Sequence, residues 1–372
     1  MSVTIKQVKT KKDLKTYIFL PEKLHSEHKN WLYPMYSDEW TFYSHKKNHT
    51  YSYSKTILYI AYQNNKPVGR VMGIINNKYN KANNKKQGRF AFLESTDDQN
   101  VVNALFEKVE SWAKKNGMDH IIGPFGFSDK EPQGLLIEGF EEPTVIVTNH
   151  SFEYLPTHVE SCGYKKKLDL VQYKGNIPDS IPELYIRASS RAQSRGYNLI
   201  EFTSRKKLKP YIEPVFQLIN DSYKNIFGFA PFLKKEIFEF ANRFIYLLNP
   251  RLIKMVIDKN NEILGFVIAM PDISEGINKA KGRLFPFGLW HILQSGKKSK
   301  QLNLLLGAVK EEYRNKGIDT MLAVNLMESA KAEGMQFIDS HVVMQDNKPM
   351  RAEMEKLGAN IYKRYRIYQK ML

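Results

Sequence analysis

QLNLLLGAVKEEYRNKGIDTMLAVNLMESAKAEG, residues 301–334, is the stretch on which the fold turns. Residues 302–309 are an apolar run of strand length with no helical stripe, the pattern of a buried strand. A charged turn over 310–316 follows. Then Ile318, Met321, Leu322, Leu326, Met327 and Ala330 recur at steps of three and four, which predicts an amphipathic helix ending near Gly334. The first turn of such a helix has N–H groups without intrahelical partners at the positive end of its dipole. Backbone donors there suit a phosphate or pyrophosphate, and Arg314 and Lys316 add charge beside them. Taken alone, the stretch is equally compatible with an ordinary strand-loop-helix corner carrying a surface arginine.

At Arg314-Asn315-Lys316-Gly317-Ile318-Asp319 the segment resembles the coenzyme A loop of the GCN5-related N-acetyltransferase (GNAT) superfamily, Q/R-x-x-G-x-G/A. Arg314 and Gly317 match. Asp319 stands where the family has a small residue, and a carboxylate beside a pyrophosphate is repulsive unless it turns away or caps the helix. Downstream, strand-like residues 337–343 lead to Asp346-Asn347, a short helix and Met354-Glu355-Lys356-Leu357-Gly358-Ala359. This is similar in register to the superfamily's closing pattern, N-x-x-A-x-x-x-Y-E-K-x-G-F, with Asn347, Glu355, Lys356 and Gly358 on it. Met354 replaces the tyrosine that reprotonates the departing thiolate in many members, and Ala359 replaces an aromatic. The resemblance implies acetyl-CoA or a longer acyl-CoA as co-substrate. Its expected contacts are Leu306, Ala308 and Val309 on the strand, then Arg314, Asn315, Lys316, Gly317, Ile318 and Asp319 in the loop, and Asn347 beyond.

At 372 residues the chain is long for one domain and sufficient for two with proper cores. Its single cysteine, Cys162, excludes an intrachain disulfide framework and a cysteine-rich metal site. The basic N-terminus lacks the apolar core of a signal peptide and no uncharged run reaches membrane-spanning length, so a cytoplasmic protein is expected. A net charge of +17 favours anionic partners. The lysines are scattered, however, and most of the charge reads as solvated surface. Arg205 to Lys209, Lys297 to Lys300 and Lys363 to Arg366 are the local clusters.

The chain retraces its own path. NNKPVG at Asn64 answers NNEILG at Asn260, AKKNGMDHI at Ala113 answers AKAEGMQFI at Ala330, and VESCGYKKKLDLVQYK at Val159 answers MEKLGANIYKRYRIYQK at Met354, each roughly 200 residues later. Each half opens its common pattern with a predicted hairpin, 56–62 with 68–75 and 252–257 with 263–270. A duplicated domain follows: residues 1–175, a linker over 176–185 where GNIPDSIP breaks both periodicities, and residues 186–372. The expected class is α/β (α+β), two tandem GNAT-like domains, each a mixed, mostly antiparallel twisted sheet flanked by helices. In the first copy the loop before the helix reads Ser95-Thr96-Asp97-Asp98-Gln99-Asn100, with two acids and no glycine, so that copy is expected to have lost cofactor binding.

Acyl transfer needs oxyanion donors, a base for the amine and a proton for the thiolate. On the strand 337–343, Asp339 and His341 are two apart and are expected to share a face as a base pair, with Tyr362, Tyr365 or water as acid. Their alternative is an interior histidine with its partner. His25 with His28, and His45 with His49, have helical spacings but no third ligand, and no metal site is expected. The segment GPFGFSDKEPQGLLIEGFEEP after Ile122 is either a substrate-facing loop or a surface excursion. Residues 282–300, rich in Leu, Phe and Trp and trailed by Lys297, Lys298 and Lys300, are expected to form a core or interface helix, with an acyl-chain tunnel or contact with an anionic membrane as the alternatives. The reading is an acyl-CoA-dependent N-acyltransferase acting on a small-molecule or lipid amine such as a sphingoid base. Its competitors are a Fem-like transferase using aminoacyl-tRNA, the one case in which nucleic acid is expected as a partner, and a non-catalytic acyl-CoA-binding protein.

Overall fold

The computed structural model describes residues 2–372. In the first half the strands are β1 (Thr4–Gln7), β2 (Ser54–Gln63), β3 (Lys66–Asn76), β4 (Gln87–Ser95), β5 (His120–Gly123), β6 (Leu135–Glu138) and β7 (Lys165–Asn176). In the second they are β8 (Asn198–Glu201), β9 (Ile253–Ile257), β10 (Ile263–Pro271), β11 (Gln301–Val309), β12 (Phe337–Met344) and β13 (Asn360–Met371). Both predicted hairpins form, β2 with β3 and β9 with β10. After β4 and after β11 comes a helix of the expected kind, Gln99–Lys115 and Ile318–Ala332. Val101, Val102, Leu105, Phe106, Val109 and Ala113 bury the first against its sheet; Ile318, Met321 and Leu322 bury the second beside Val256 and Leu264. Each such large apolar side chain stabilises the fold by about 1.5–3 kcal/mol. Thus the stripe read from the sequence at 318–330 is the face that packs, and the first half carries its counterpart.

The two halves do not close separately. All strands join one sheet in the order β1-β2-β3-β4-β5-β13-β7-β12-β11-β10-β9-β8, with β6 also on β13. The last strand of each half therefore crosses over: β13 ends the chain but lies between β5 and β7, while β7 lies against β12. A boundary in sequence at residues 176–185 consequently differs from the division in space. The helix Glu183–Ser194 begins inside that predicted linker.

A clasp at the exchange is testable. Arg366 Nε and Nη2 donate to the two oxygens of Asp169 at 2.9 and 3.2 Å, from β13 to β7. Burial pushes the Asp169 carboxyl up, but hydrogen bonds from Arg366 and Lys166 outweigh it and hold the group below its usual range. Since the folded pKa is the lower one, this contribution is complete above the unfolded value of about 4 and is lost as pH falls through the folded value. Asp169→Asn is expected to cost about 1 kcal/mol at neutral pH, the screened worth of such a pair, and to leave a shallower acid slope. Urea unfolding measured at neutral and acid pH checks both.

The segment 282–300 departs from expectation. Only Gly288–Lys298 is helical, and Phe285, Phe287 and Trp290 are 85%, 71% and 60% exposed. A core helix is excluded. Gly288 and Ile292 alone bury the side of it that faces Gly276, whose backbone approaches so closely that a Cβ there would stand 2.5 Å from His291 O.

Candidate active site

β11 and β12 run parallel but pair over only three positions, Gln301 to Phe337, Leu302 to Ile338 and Asn303 to Asp339. Beyond Asn303 they part. Two irregularities accompany the parting: β11 slips against β10 between Ile268 and Ala269, and β12 slips against β7 between Asp339 and Val342, where His341 takes φ 58°. The result is a wedge with the free edge of β11 on one side. Gly307 N–H and C=O both face it, each 3.3 and 2.8 Å from the Tyr223 hydroxyl. Antiparallel alternation then turns the N–H groups of Leu306 and Ala308 towards β10 and that of Val309 towards the wedge. The donor at this edge is thus Gly307, shared here with the Tyr223 hydroxyl and not singled out from the sequence.

At the far end of β11 the chain makes one 3-10 turn, Glu311–Tyr313, then reaches Asn315 at φ 60° and Gly317 at φ 87°. Gly317 starts the helix Ile318–Ala332 in a left-handed conformation with no side-chain cap. A Cβ at Gly317 would lie 3.2 Å from Ala188 O of the helix Glu183–Ser194, so this corner is closed from behind. Among the described residues, no protein acceptor takes the N–H groups of residues 315–319. Arg314 and Lys316 are exposed beside them, and Arg195 reaches Lys316 O at 3.4 Å. Asp319 is exposed and forms no side-chain cap on the helix it begins. The donors suit a diphosphate. Asn347 serves as N-cap of the helix Lys348–Lys356 through its contact with Met350 N.

The first half shows the contrast. β4 and β5 also pair over three positions and then part. There, however, the helix Gln99–Lys115 is capped by Asp98, which accepts Asn100 N–H and the Gln63 amide. The free edge of β4 is occupied as well, Tyr154 OH donating to Ser95 O and Phe125 N–H to Phe90 O. Glu94 meets His25 Nε2 at 3.0 Å, and His25 stacks on Trp31 and Phe152. Protein side chains fill this wedge, and a carboxylate stands where the other half offers bare amides.

Of the three residues expected to be catalytic, Asp339 and Tyr365 lie together in the interior and His341 is half-buried next to them. Asp339 is fully buried and accepts from Gln172 Nε2 at 2.7 Å, from His341 N–H at 2.9 Å and from the Tyr362 hydroxyl. Tyr365 OH donates to Gln172 Oε1 at 3.2 Å. Burial pushes the Asp339 carboxyl up against these hydrogen bonds. The expectation that Asp339 and His341 share a face fails locally, because the slip at 340–341 breaks the two-residue alternation. The His341 ring instead bonds the Val147 carbonyl, and burial lowers its pKa to about 4. Met354, at the usual tyrosine position, packs with Val171, Tyr173 and Val343.

Two further groups, one on the free edge of β11 and one within its electrostatic reach, were not singled out from the sequence. Tyr223 follows the helix Ile212–Ser222, and burial pushes its pKa up to about 12. Asp129 comes from the Gly/Pro-punctuated loop after β5 in the other half and raises the Tyr223 pKa electrostatically. One carboxylate oxygen is engaged by Ala230 N–H, whereas Oδ1 is buried without a partner. Burial pushes the Asp129 carboxyl up. The substrate-facing alternative for that loop is the one its position favours.

Residues 212–359 match the family model described as the acetyltransferase (GNAT) family. The chain is 29% identical over 374 residues to a protein named bacterial ceramide synthase from Caulobacter vibrioides (strain NA1000 / CB15N), covering 98% of this chain and 96% of that one. It is 27% identical to protein YghO of Escherichia coli (strain K12), covering 97% and 94%. Among solved structures, a tandem GNAT protein from the clavulanic acid biosynthesis pathway superposes with a TM-score of 0.58 at 11% identity, over 100% of this chain and 98% of the other. That likeness is one of fold.

Proposed function

We propose that this chain, whose residues 212–359 belong to the acetyltransferase (GNAT) family, transfers an acyl group from coenzyme A to the primary amine of a lipid, in the wedge between β11 and β12. The observation that carries the reading is the pairing of that wedge with the uncapped, left-handed start of the helix Ile318–Ala332. Residues 315–319 would hold a diphosphate, and the free edge of β11 would receive the thioester arm, with Gly307 N–H as a donor to the carbonyl oxygen.

The chemistry asks for two proton movements. Starting from the neutral amine, one N–C bond forms and one C–S bond breaks. Asp129, with a free oxygen and a raised pKa, accepts the amine proton; Tyr223, which keeps its proton across the neutral range, gives one to the leaving thiolate. A proton returning through water from Asp129 to Tyr223 closes the cycle. Asp339, Gln172 and Tyr365 tie β12, β7 and β13 together next to the wedge and act as positioning residues. No step then needs the tyrosine that Met354 replaces.

A lipid amine such as a sphingoid base is favoured over a small polar amine by the likeness, along nearly the full chain, to the Caulobacter protein. Thiol release by the purified chain, with acetyl-CoA or a long-chain acyl-CoA against a sphingoid base or a soluble diamine, tests acyl donor and acceptor together. Turnover is expected with long-chain acyl-CoA and the sphingoid base. Acyl-CoA binding without turnover for any amine would remove the enzymatic reading, and turnover confined to the diamine would remove the lipid.

A further inference from the structure

We propose that the insertion between β10 and β11 docks the protein on an anionic phospholipid bilayer. It consists of the helices Ser274–Lys279 and Gly288–Lys298 and the loop joining them. Phe285, Phe287 and Trp290 project from it at 85%, 71% and 60% exposure, and Leu289 and Leu293 extend the same patch at 37% and 39%. A contiguous apolar surface of this kind marks an interaction site.

The patch is rigidly mounted. Gly276 lets the two helices touch, Gly282 passes so near Pro34 that a Cβ would be 2.0 Å from its carbonyl oxygen, and Arg283 Nη2 holds Glu22 at 3.0 Å. Aromatics fixed outward on a stiff support lose little conformational freedom when they enter another phase.

Charge selects the partner. Lys281, Lys297 and Lys298 are exposed around the aromatics. Against the loop lies a cavity of about 460 Å³ lined by Lys15, Phe19, Glu22, Lys23 and Arg283. The acids in this region are engaged: Glu22 by Arg283 and Tyr36, Glu275 by Lys279, and Asp272 by Ser274 and Asn303. Rings at headgroup depth ringed by cations fit the interfacial zone of a membrane that carries negative phosphates. Among the described residues, no helix is long and apolar enough to cross one.

Placement supports the assignment. The insertion enters at the Gln301 end of β11, and the loop proposed to hold the diphosphate leaves from the Val309 end, eight residues on, which is about 27 Å along a strand. With the patch on a bilayer, the loop of residues 310–317 would remain in water, where acyl-CoA is, while an acceptor held in the bilayer would lie at the other end.

Flotation of the full chain with phosphatidylcholine vesicles, with and without phosphatidylglycerol, tests the docking in the absence of acyl-CoA, so its failure is separable from failure of the transfer reading. Wild-type protein is expected to float with the phosphatidylglycerol vesicles and to be released by high salt. The double variant Phe285→Ser, Trp290→Ser should bind about tenfold more weakly at unchanged unfolding midpoint, and Lys297→Glu, Lys298→Glu should lose the preference for anionic lipid. No vesicle binding, or binding undiminished in both variants, would overturn the proposal. So would a wild-type dimer in sedimentation that Phe285→Ser, Trp290→Ser dissociates without any vesicle binding, since the patch would then belong to a second copy.

Discussion

Gly317→Glu is expected to abolish measurable acyl-CoA binding in calorimetry, weakening it by about two orders of magnitude or more, while Gly317→Ala weakens it by about tenfold or less. Both variants bear the cost of a Cβ in the left-handed region, about 1–2 kcal/mol, and of a 3.2 Å approach to Ala188 O. That shared cost appears as a lower unfolding midpoint and can be measured apart from binding. Only the glutamate also aims a negative charge at the amides of residues 315–319, where the ligand's own diphosphate is to sit. The first half already contains the natural version of this substitution, since Asp98 caps the helix Gln99–Lys115 at the corresponding corner. The converse variant Asp98→Gly is accordingly not expected to create binding there, because Tyr154, His25 and Phe152 still fill the adjoining wedge. Equal acyl-CoA affinity in wild type and Gly317→Glu would place the diphosphate elsewhere.

The parts of the fold that depend on local pattern were readable in the residues. The helical stripe at 318–330 and both Asn-Asn hairpins follow from periods and turn chemistry that act over a few positions. The strand exchange was not readable. VESCGYKKKLDLVQYK and MEKLGANIYKRYRIYQK share a helix-turn-strand pattern, and nothing in that local pattern says which half each strand will join. The bulge at 340–341 is hidden as well: alternation predicts a straight strand, whereas the pairing with β7 slips between Asp339 and Val342. Residues 282–300 misled because an apolar segment looks alike whether it is buried or offered to a partner. Asp129 and Tyr223 come from opposite halves and come within electrostatic reach of each other only in the folded chain, a proximity that no spacing along the chain encodes.

That proximity leads to the second large effect: Asp129→Asn should lower kcat by about 100-fold or more with little change in the KM for acyl-CoA, and Tyr223→Phe should also act on kcat. Their pH profiles must differ. The carboxylate works only when deprotonated, so in the wild type the rate rises with pH through the raised Asp129 pKa, and Asp129→Asn removes this acid limb. Tyr223 is held at about 12 and stays protonated throughout the neutral range, so its loss lowers the plateau without moving the acid limb. Binding gives the check on a merely structural role. Tyr223 OH occupies Gly307 N–H and C=O, and a phenylalanine leaves that edge free, so acyl-CoA affinity should hold or improve while turnover falls. A purely architectural tyrosine would weaken both together. Asp129→Glu, which restores a carboxylate one methylene longer, should recover part of the lost rate along with the acid limb. If Asp129→Asn keeps its turnover within about threefold and retains that limb, the amine's proton leaves by another route, and the half-buried His341 beside the same wedge becomes the group to examine.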